Sequence, residues 1–198
     1  MEETYLMKQK RQQQDYEMKI NDKERWKNEQ EEIEQSLSQL SSKQINKILF
    51  DSEKDKWNKQ DSSFTTQLQG KQDIIILIED EQMNLFGGYI GNEIIIGKNV
   101  KDNSCFVFSL RKNGVKNLKR FEKNQIGYSY WIRPDSSDLL MGFGMSEDGK
   151  LSKDITLFKK NKCSGFCSQL CYDYNDEEFA LCGKKNFNIK RIVVYQLN

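Results

Sequence analysis

Residues 187–197 read FNIKRIVVYQL, and this stretch decides the fold. Phe187 and Ile189 alternate with the polar Asn188 and Lys190, after which Ile192, Val193 and Val194 run apolar without a break. Successive side chains of a strand point to opposite faces, so the alternation denotes one buried face and the unbroken run denotes two. β-Branched residues, stiff at χ1, favour the extended backbone. The segment is therefore a strand whose end lies between layers, with Ile189, Ile192, Val193, Val194 and Leu197 all requiring cover.

Outward from it, residues 74–78 (IIILI) form a second aliphatic run of the same kind, read as a central strand. Residues 79–84 turn, and residues 85–90 (LFGGYI) return. The adjacent Gly87 and Gly88 weaken a strand, so a bulge or a close backbone approach is expected there. Gly91-Asn92 predicts a hairpin into Ile94, Ile95 and Ile96, and Asn113-Gly114 predicts another between residues 105–110 and a basic, edge-like strand over 115–121. Further strands are read at 128–132, ending before Pro134, at 139–143 and at 155–158. No helix of about 10–15 residues separates them, which favours antiparallel pairing over a parallel α/β sheet. The expected class is α+β: a mainly antiparallel two-sheet β-sandwich with flanking helices, preceded by a long polar N-terminal helix.

The 198 residues carry 31 basic and 30 acidic side chains, for a net charge of +1. That balance gives no global reason to expect a nucleic-acid or membrane-surface binder. No apolar run is long enough to span a bilayer, and the N-terminal residues lack the apolar region of a secretory signal. Histidine is absent, which excludes Ser-His-Asp and Cys-His catalysis and every His-ligated metal site. Five cysteines without an export signal suggest reduced thiols and a cytoplasmic location, with the nucleus as the alternative.

Residues 1–47 contain 12 hydrophobic side chains, nine Lys/Arg, ten Asp/Glu and eight Gln, and no Gly or Pro. Gln, Glu, Lys and Arg lose little side-chain freedom in a helix, so a polar helix or weak coiled-coil segment is expected over residues 1–42 and the globular domain over 43–198. Trp26, Ile33, Leu37 and Leu40 give a short seam through which residues 26–47 could form a homodimer. Extended backward, that seam meets Gln30, Lys23 and Lys19, which favours a single solvated helix.

Cys163, Cys167 and Cys171 are four apart, with Cys182 eleven further on. Four thiolates suit tetrahedral zinc, but the string lacks the two close pairs of a zinc ribbon. A redox-responsive cluster tuned by Lys159, Lys160 and Lys162 is a second reading, and small semi-buried hydrophobes are the plainest. No metal and no cofactor is assigned. Residues 111–123 hold six basic residues (Arg111, Lys112, Lys116, Lys119, Arg120 and Lys123) against one acid. Such a hairpin can follow phosphates, which makes a nucleic-acid-binding regulator the alternative function; a cationic edge strand guarded against aggregation is the simpler reading. Ser52-Glu53-Lys54-Asp55 sets a hydroxyl beside carboxylates but shows no positioned base, so no catalytic residue is assigned and no enzyme is expected. Gly142 and Gly144, like Gly87 and Gly88, match no phosphate-loop spacing.

In their order, these elements resemble a TLDc domain over residues 43–198. Residues 48–55 (ILFDSEKD, with Ser52, Glu53 and Asp55) resemble the family's opening element, and Phe86-Gly87-Gly88-Tyr89 its glycine hairpin. Residues 106–110 (FVFSL, with Phe108 and Ser109) resemble a following strand, Gly142-Phe143-Gly144 a glycine-rich segment, and residues 187–197, with Ile192 and Tyr195, the closing strand. Lys56 replaces a usual Gly, Val193 a usual Glu and Tyr195 a usual Trp, so a family function resting on that Glu is not expected here. The resemblance implies a sandwich with flanking helices. It also implies a non-catalytic role in oxidative-stress protection, and binding to protein partners, among them subunits of the vacuolar proton-pumping ATPase.

Overall fold

The computed structural model describes residues 2–58, 62–124, 127–148, 153–159 and 164–198. Helix α1 spans Glu2–Ser41. Side-chain hydrogen bonds from Gln13 to Glu17 (2.7 Å), Arg25 to Glu29 (3.1 Å) and Gln30 to Glu34 (2.8 Å) tie successive turns at i, i+4 spacing. The helix ends where Ser42 adopts a left-handed φ of 58° and the Ser41 hydroxyl accepts the Lys43 N–H. The chain divides into two compact units, residues 1–37 and 38–198. The last turn of α1 therefore belongs to the second unit, and the segment 26–47 read as a dimer seam is not one helix: its final residues already lie in a strand. Among the described residues no helix is long and apolar enough to cross a membrane.

The second unit contains β1 (Ile45–Asp51), α2 (Phe64–Leu68), β2 (Ile74–Asp80), β3 (Leu85–Ile90), β4 (Asn99–Val100), β5 (Phe106–Lys112), β6 (Val115–Glu122), β7 (Tyr128–Ile132), β8 (Leu139–Met145), β9 (Ile155–Phe158), β10 (Ser164–Cys167) and β11 (Asn186–Leu197). All pairings are antiparallel. The strands follow one hydrogen-bonded path, β4-β7-β8-β9-β10-β11-β2-β3-β5-β6, with β1 also on β11. The expected class, α+β and antiparallel, is the one observed, but two separate sheets are not. β11 is shared: residues 186–188 pair with β10, 189–196 with β2 and 193–197 with β1, so a single sheet runs through it.

A register shift between Ile189 and Arg191 explains the pattern of β11. Phe187 and Ile189 face the core before it, Ile192 and Val194 after it. One extra residue turns the odd positions outward and the even positions inward, so the same core is served by both halves. Val193 and Tyr195, on the opposite face, are buried as well.

The sheet doubles back on itself. β3 and β8 are five neighbours apart along the path, which in a flat sheet would separate them by roughly 24 Å. Yet a Cβ placed on Gly88 of β3 would lie 2.5 Å from the Phe143 ring of β8. A Cβ on Gly87 would strike the Ile76 carbonyl oxygen at 1.9 Å, so both glycines mark close approach, as their position in a strand requires.

The hairpin expected at Gly91-Asn92 does not form. The N–H groups of Gly91 and Asn92 are donated to the buried carboxylate of Asp102, at 2.9 and 3.0 Å. Ile94 enters the core instead, with its N–H donated to Lys71 and its carbonyl accepting from Gly70. The partner of β3 is β5. The hairpin at Asn113-Gly114 is present, with φ of 53° and 77°, and β6 lies at the end of the strand order.

Gly88→Val is expected to lower stability by about 1–3 kcal/mol through overpacking against Phe143; an unshifted urea midpoint would refute that packing. Deletion of residues 189–198 should abolish the cooperative thermal transition. The five aliphatic side chains lost contribute about 1.5–3 kcal/mol each, against a net stability of about 5–15 kcal/mol. A soluble truncated chain melting near the full-length temperature would show that β11 is peripheral.

Candidate functional site

The opening motif packs along β11. The Arg191 guanidinium donates from Nε and Nη2 to the two Asp51 oxygens, at 3.1 and 2.9 Å, with both side chains buried. Burial alone would raise the Asp51 carboxyl; the Arg191 guanidinium, the Glu53 N–H and the Lys54 charge overcome it and hold it below the usual carboxylate range. Ser52 donates its N–H to the Ile192 carbonyl and accepts the Ile192 N–H on its hydroxyl, both at 2.9 Å. Glu53 lies 3.6 Å from Arg191, and Asp55 accepts the Asp51 N–H. The turn thus fills the stretch of β11 between its pairings with β10 and β1. In this geometry Ser52, Glu53 and Asp55 act as a latch, and Arg191, which the sequence reading left unassigned, is its counterpart.

Three basic side chains of the hairpin, Lys112, Lys119 and Arg120, are engaged by carboxylates. Lys112 and Lys119 both bind the Glu177 carboxylate, the latter at 2.6 Å. Arg120 donates to the Leu40 carbonyl at 2.6 Å, lies 3.8 Å over the Phe106 ring and pairs with Glu122. Arg111 donates to the Met83 carbonyl and Lys123 to that of Asn124. Lys116 faces Arg111 across the hairpin. Glu177, far along the chain, is the acid that the local count of 111–123 could not include.

Among the described residues the cysteines do not converge as one cluster. Cys163 lies outside the described residues, as do Lys160 and Lys162. Lys159 points its ammonium to the Pro134 and Asp135 carbonyls, 3.3 and 2.7 Å away, so it does not serve the thiols. Among the described residues no group of three or more Cys, Asp or Glu side chains is arranged to hold a metal ion. Cys171 sits beside Asp154; burial, then the Asp154 charge, pushes its thiol up to about 12.

Cys167 and Cys182 form a pair, with sulfurs 3.8 Å apart and both buried. Cys167 ends β10, and its N–H is donated to the Lys185 carbonyl. Cys182 is held where three segments meet: Asn84 donates to the Cys182 carbonyl at 3.1 Å, Ser109 donates to Leu181, and Asn84 accepts the Asn113 N–H. Burial and the neighbouring sulfur drive the Cys167 thiol up, whereas the hydrogen bond shared with Cys167, aided by Lys184 and opposed by burial, lowers that of Cys182. Beside the pair lies a cavity of about 250 Å³, lined by Cys167, Gln169, Phe179 and Lys185 among others.

The remaining motif residues are packing elements. Phe86 meets Phe187 edge-to-face at 4.9 Å. Phe108, Ile192 and Tyr195 are fully buried. Gly142 leaves room for the Ile155 carbonyl and the Trp131 ring, and Gly144, at φ +67°, for the Asp154 carboxylate.

A family model for the TLDc domain matches residues 4–198, and no curated protein matches the sequence. The match extends over nearly all of α1, which the sequence reading had set outside the resemblance.

Asp154 makes the stability of the fold depend on pH. Its buried carboxyl accepts the Leu170 and Cys171 N–H groups and the Tyr174 hydroxyl, yet burial outweighs these donors and raises it from 3.8 to about 6. A raised folded-state pKa gives a contribution fully present below the unfolded value and lost as pH rises through about 6. A separation of about two pH units corresponds to about 3 kcal/mol. In urea melts, the full chain should lose about that much more stability than Asp154→Ala between about pH 4 and pH 7. Parallel pH profiles for the two proteins would disprove it.

Proposed function

The chain belongs to the TLDc domain family, and we propose from that membership that it is a non-catalytic interaction protein acting in resistance to oxidative stress. TLDc domains are associated with such resistance and with interaction with the vacuolar proton-pumping ATPase. The proposed partner class is accordingly the subunits of that pump, met in the cytoplasm. The observation that carries this reading is the extent of the family match, residues 4–198. The hydrogen-bonded roles of Ser52, Glu53 and Asp55 agree with a structural use of the motif.

The nucleic-acid alternative requires cations on the 111–123 hairpin that are available to phosphates. Two of its lysines share Glu177 and Arg120 is held by Leu40 and Glu122, which weighs against it. Purified full-length chain, mixed with the purified cytoplasmic sector of the pump, should co-elute with it in size-exclusion chromatography and remain bound as salt is raised. Absence of co-elution at micromolar concentrations would overturn the reading. So would nucleic-acid binding that falls steeply with salt, since phosphate neutralisation releases counterions.

A further inference from the structure

We propose that Cys167 and Cys182 are a peroxide-oxidised thiol pair that closes to a disulfide. The inference is independent of the partner reading, because it concerns the chemistry of these two sulfurs alone. Three observations carry it. The sulfurs are 3.8 Å apart, and an S–S bond of about 2.05 Å needs less than about 2 Å of combined movement. Both residues lie next to turns: Cys167 is the last residue of β10, and Cys182 precedes Gly183 at φ +76°, where the chain bends before β11. Cys167 alone of the pair lines the cavity of about 250 Å³, a volume ample for hydrogen peroxide.

The geometry assigns the roles. Cys167, at the cavity wall, meets the oxidant; Cys182, 1% exposed, resolves the intermediate. Cys167 releases its proton to solvent at the cavity, while Cys182 enters as the thiol, its S–H donated to the Cys167 sulfur at 3.8 Å. The Cys167 thiolate then attacks one peroxide oxygen. An S–O bond forms, the O–O bond breaks, and hydroxide leaves, taking the proton from Cys182 to become water. The Cys182 thiolate attacks the sulfur of the Cys167 sulfenic acid. The S–S bond forms as the S–O bond breaks, and the departing hydroxide recovers the first proton as a second water. Two thiols are oxidised by two electrons and one hydrogen peroxide is reduced to two waters. The Lys184 ammonium near Cys182 favours the thiolate that attacks, while Asp80 and burial oppose it. Cys105 and Cys171 are not competitors of equal standing. Cys105 is fully buried with its sulfur against the Tyr172 hydroxyl at 3.1 Å, Cys171 is buried beside Asp154, and neither lines the cavity as Cys167 does.

The full-length reduced chain, treated with hydrogen peroxide and then denatured and alkylated, should retain three of its five thiols. Peptide mapping should show residues 167 and 182 joined, and the oxidised protein should melt several degrees higher, reverting on reduction, because the crosslink restricts the unfolded chain. Cys182→Ala, which removes the resolving sulfur, should accumulate a dimedone adduct on Cys167. Cys167→Ala should give no adduct at Cys182. Five free thiols after peroxide, a disulfide involving any other cysteine, or preferential dimedone labelling of Cys182 would each overturn the proposal.

Discussion

A strand buried on both faces must find hydrogen-bond partners along both edges, and β11 meets that demand with three strands and a turn. β2 occupies one edge over residues 189–196. β10 and β1 take the two ends of β11, at 186–188 and 193–197. Between those two, Ser52 satisfies both the N–H and the carbonyl of Ile192, as buried backbone groups require. The register shift before Arg191 then solves a second problem. It keeps Phe187, Ile189, Ile192 and Val194 on one core while swinging Arg191 toward Asp51. The latch and the core phase are consequences of the same extra residue.

Buried aspartates organise the loops. Asp51 takes the Glu53 N–H and the Arg191 fork, and Asp80 takes the N–H groups of Gln82 and Asn84. Asp102 takes those of Gly91, Asn92 and Ser104, and Asp154 those of Leu170 and Cys171. A chain with a single proline has little intrinsic stiffness in its turns. Hydrogen bonds to a charged acceptor contribute about 1.5–3 kcal/mol, roughly twice a neutral one, so a carboxylate drawing in several amides is an effective substitute. Where burial exceeds what the amides return, as at Asp154, the cost appears as a raised carboxyl.

The elements legible in the sequence were those whose signal is local. The runs at 74–78 and 192–194, the Asn113-Gly114 turn and the polar helix all occur where composition and period placed them. What escaped was decided at a distance. Gly91-Asn92 has the residues of a hairpin turn, but Asp102 captures its amides. The basic hairpin reads as an anion site until Glu177 is placed against Lys112 and Lys119. Asp51 and Arg191 are 140 positions apart, so the opening motif could be recognised while its counterion could not. Two sheets were expected because nothing in a strand's own residues says that it serves two sets of neighbours. The four-residue spacing of the cysteines pointed to Cys163, Cys167 and Cys171 as the group, whereas the fold pairs Cys167 with Cys182.

The shared strand also sets an order of events during synthesis. Every partner of β11 is translated before it, and β1 waits longest. Until β11 leaves the ribosome, the aliphatic β2 has one edge without a partner and the doubled sheet cannot close. Such a chain gains little from folding as it emerges, because its decisive contacts join the most distant segments and carry the largest loop-closure penalty. The nascent protein therefore carries an unpaired, strongly aliphatic β2 edge, open to association with other chains, until β11 has been made and can pair with it.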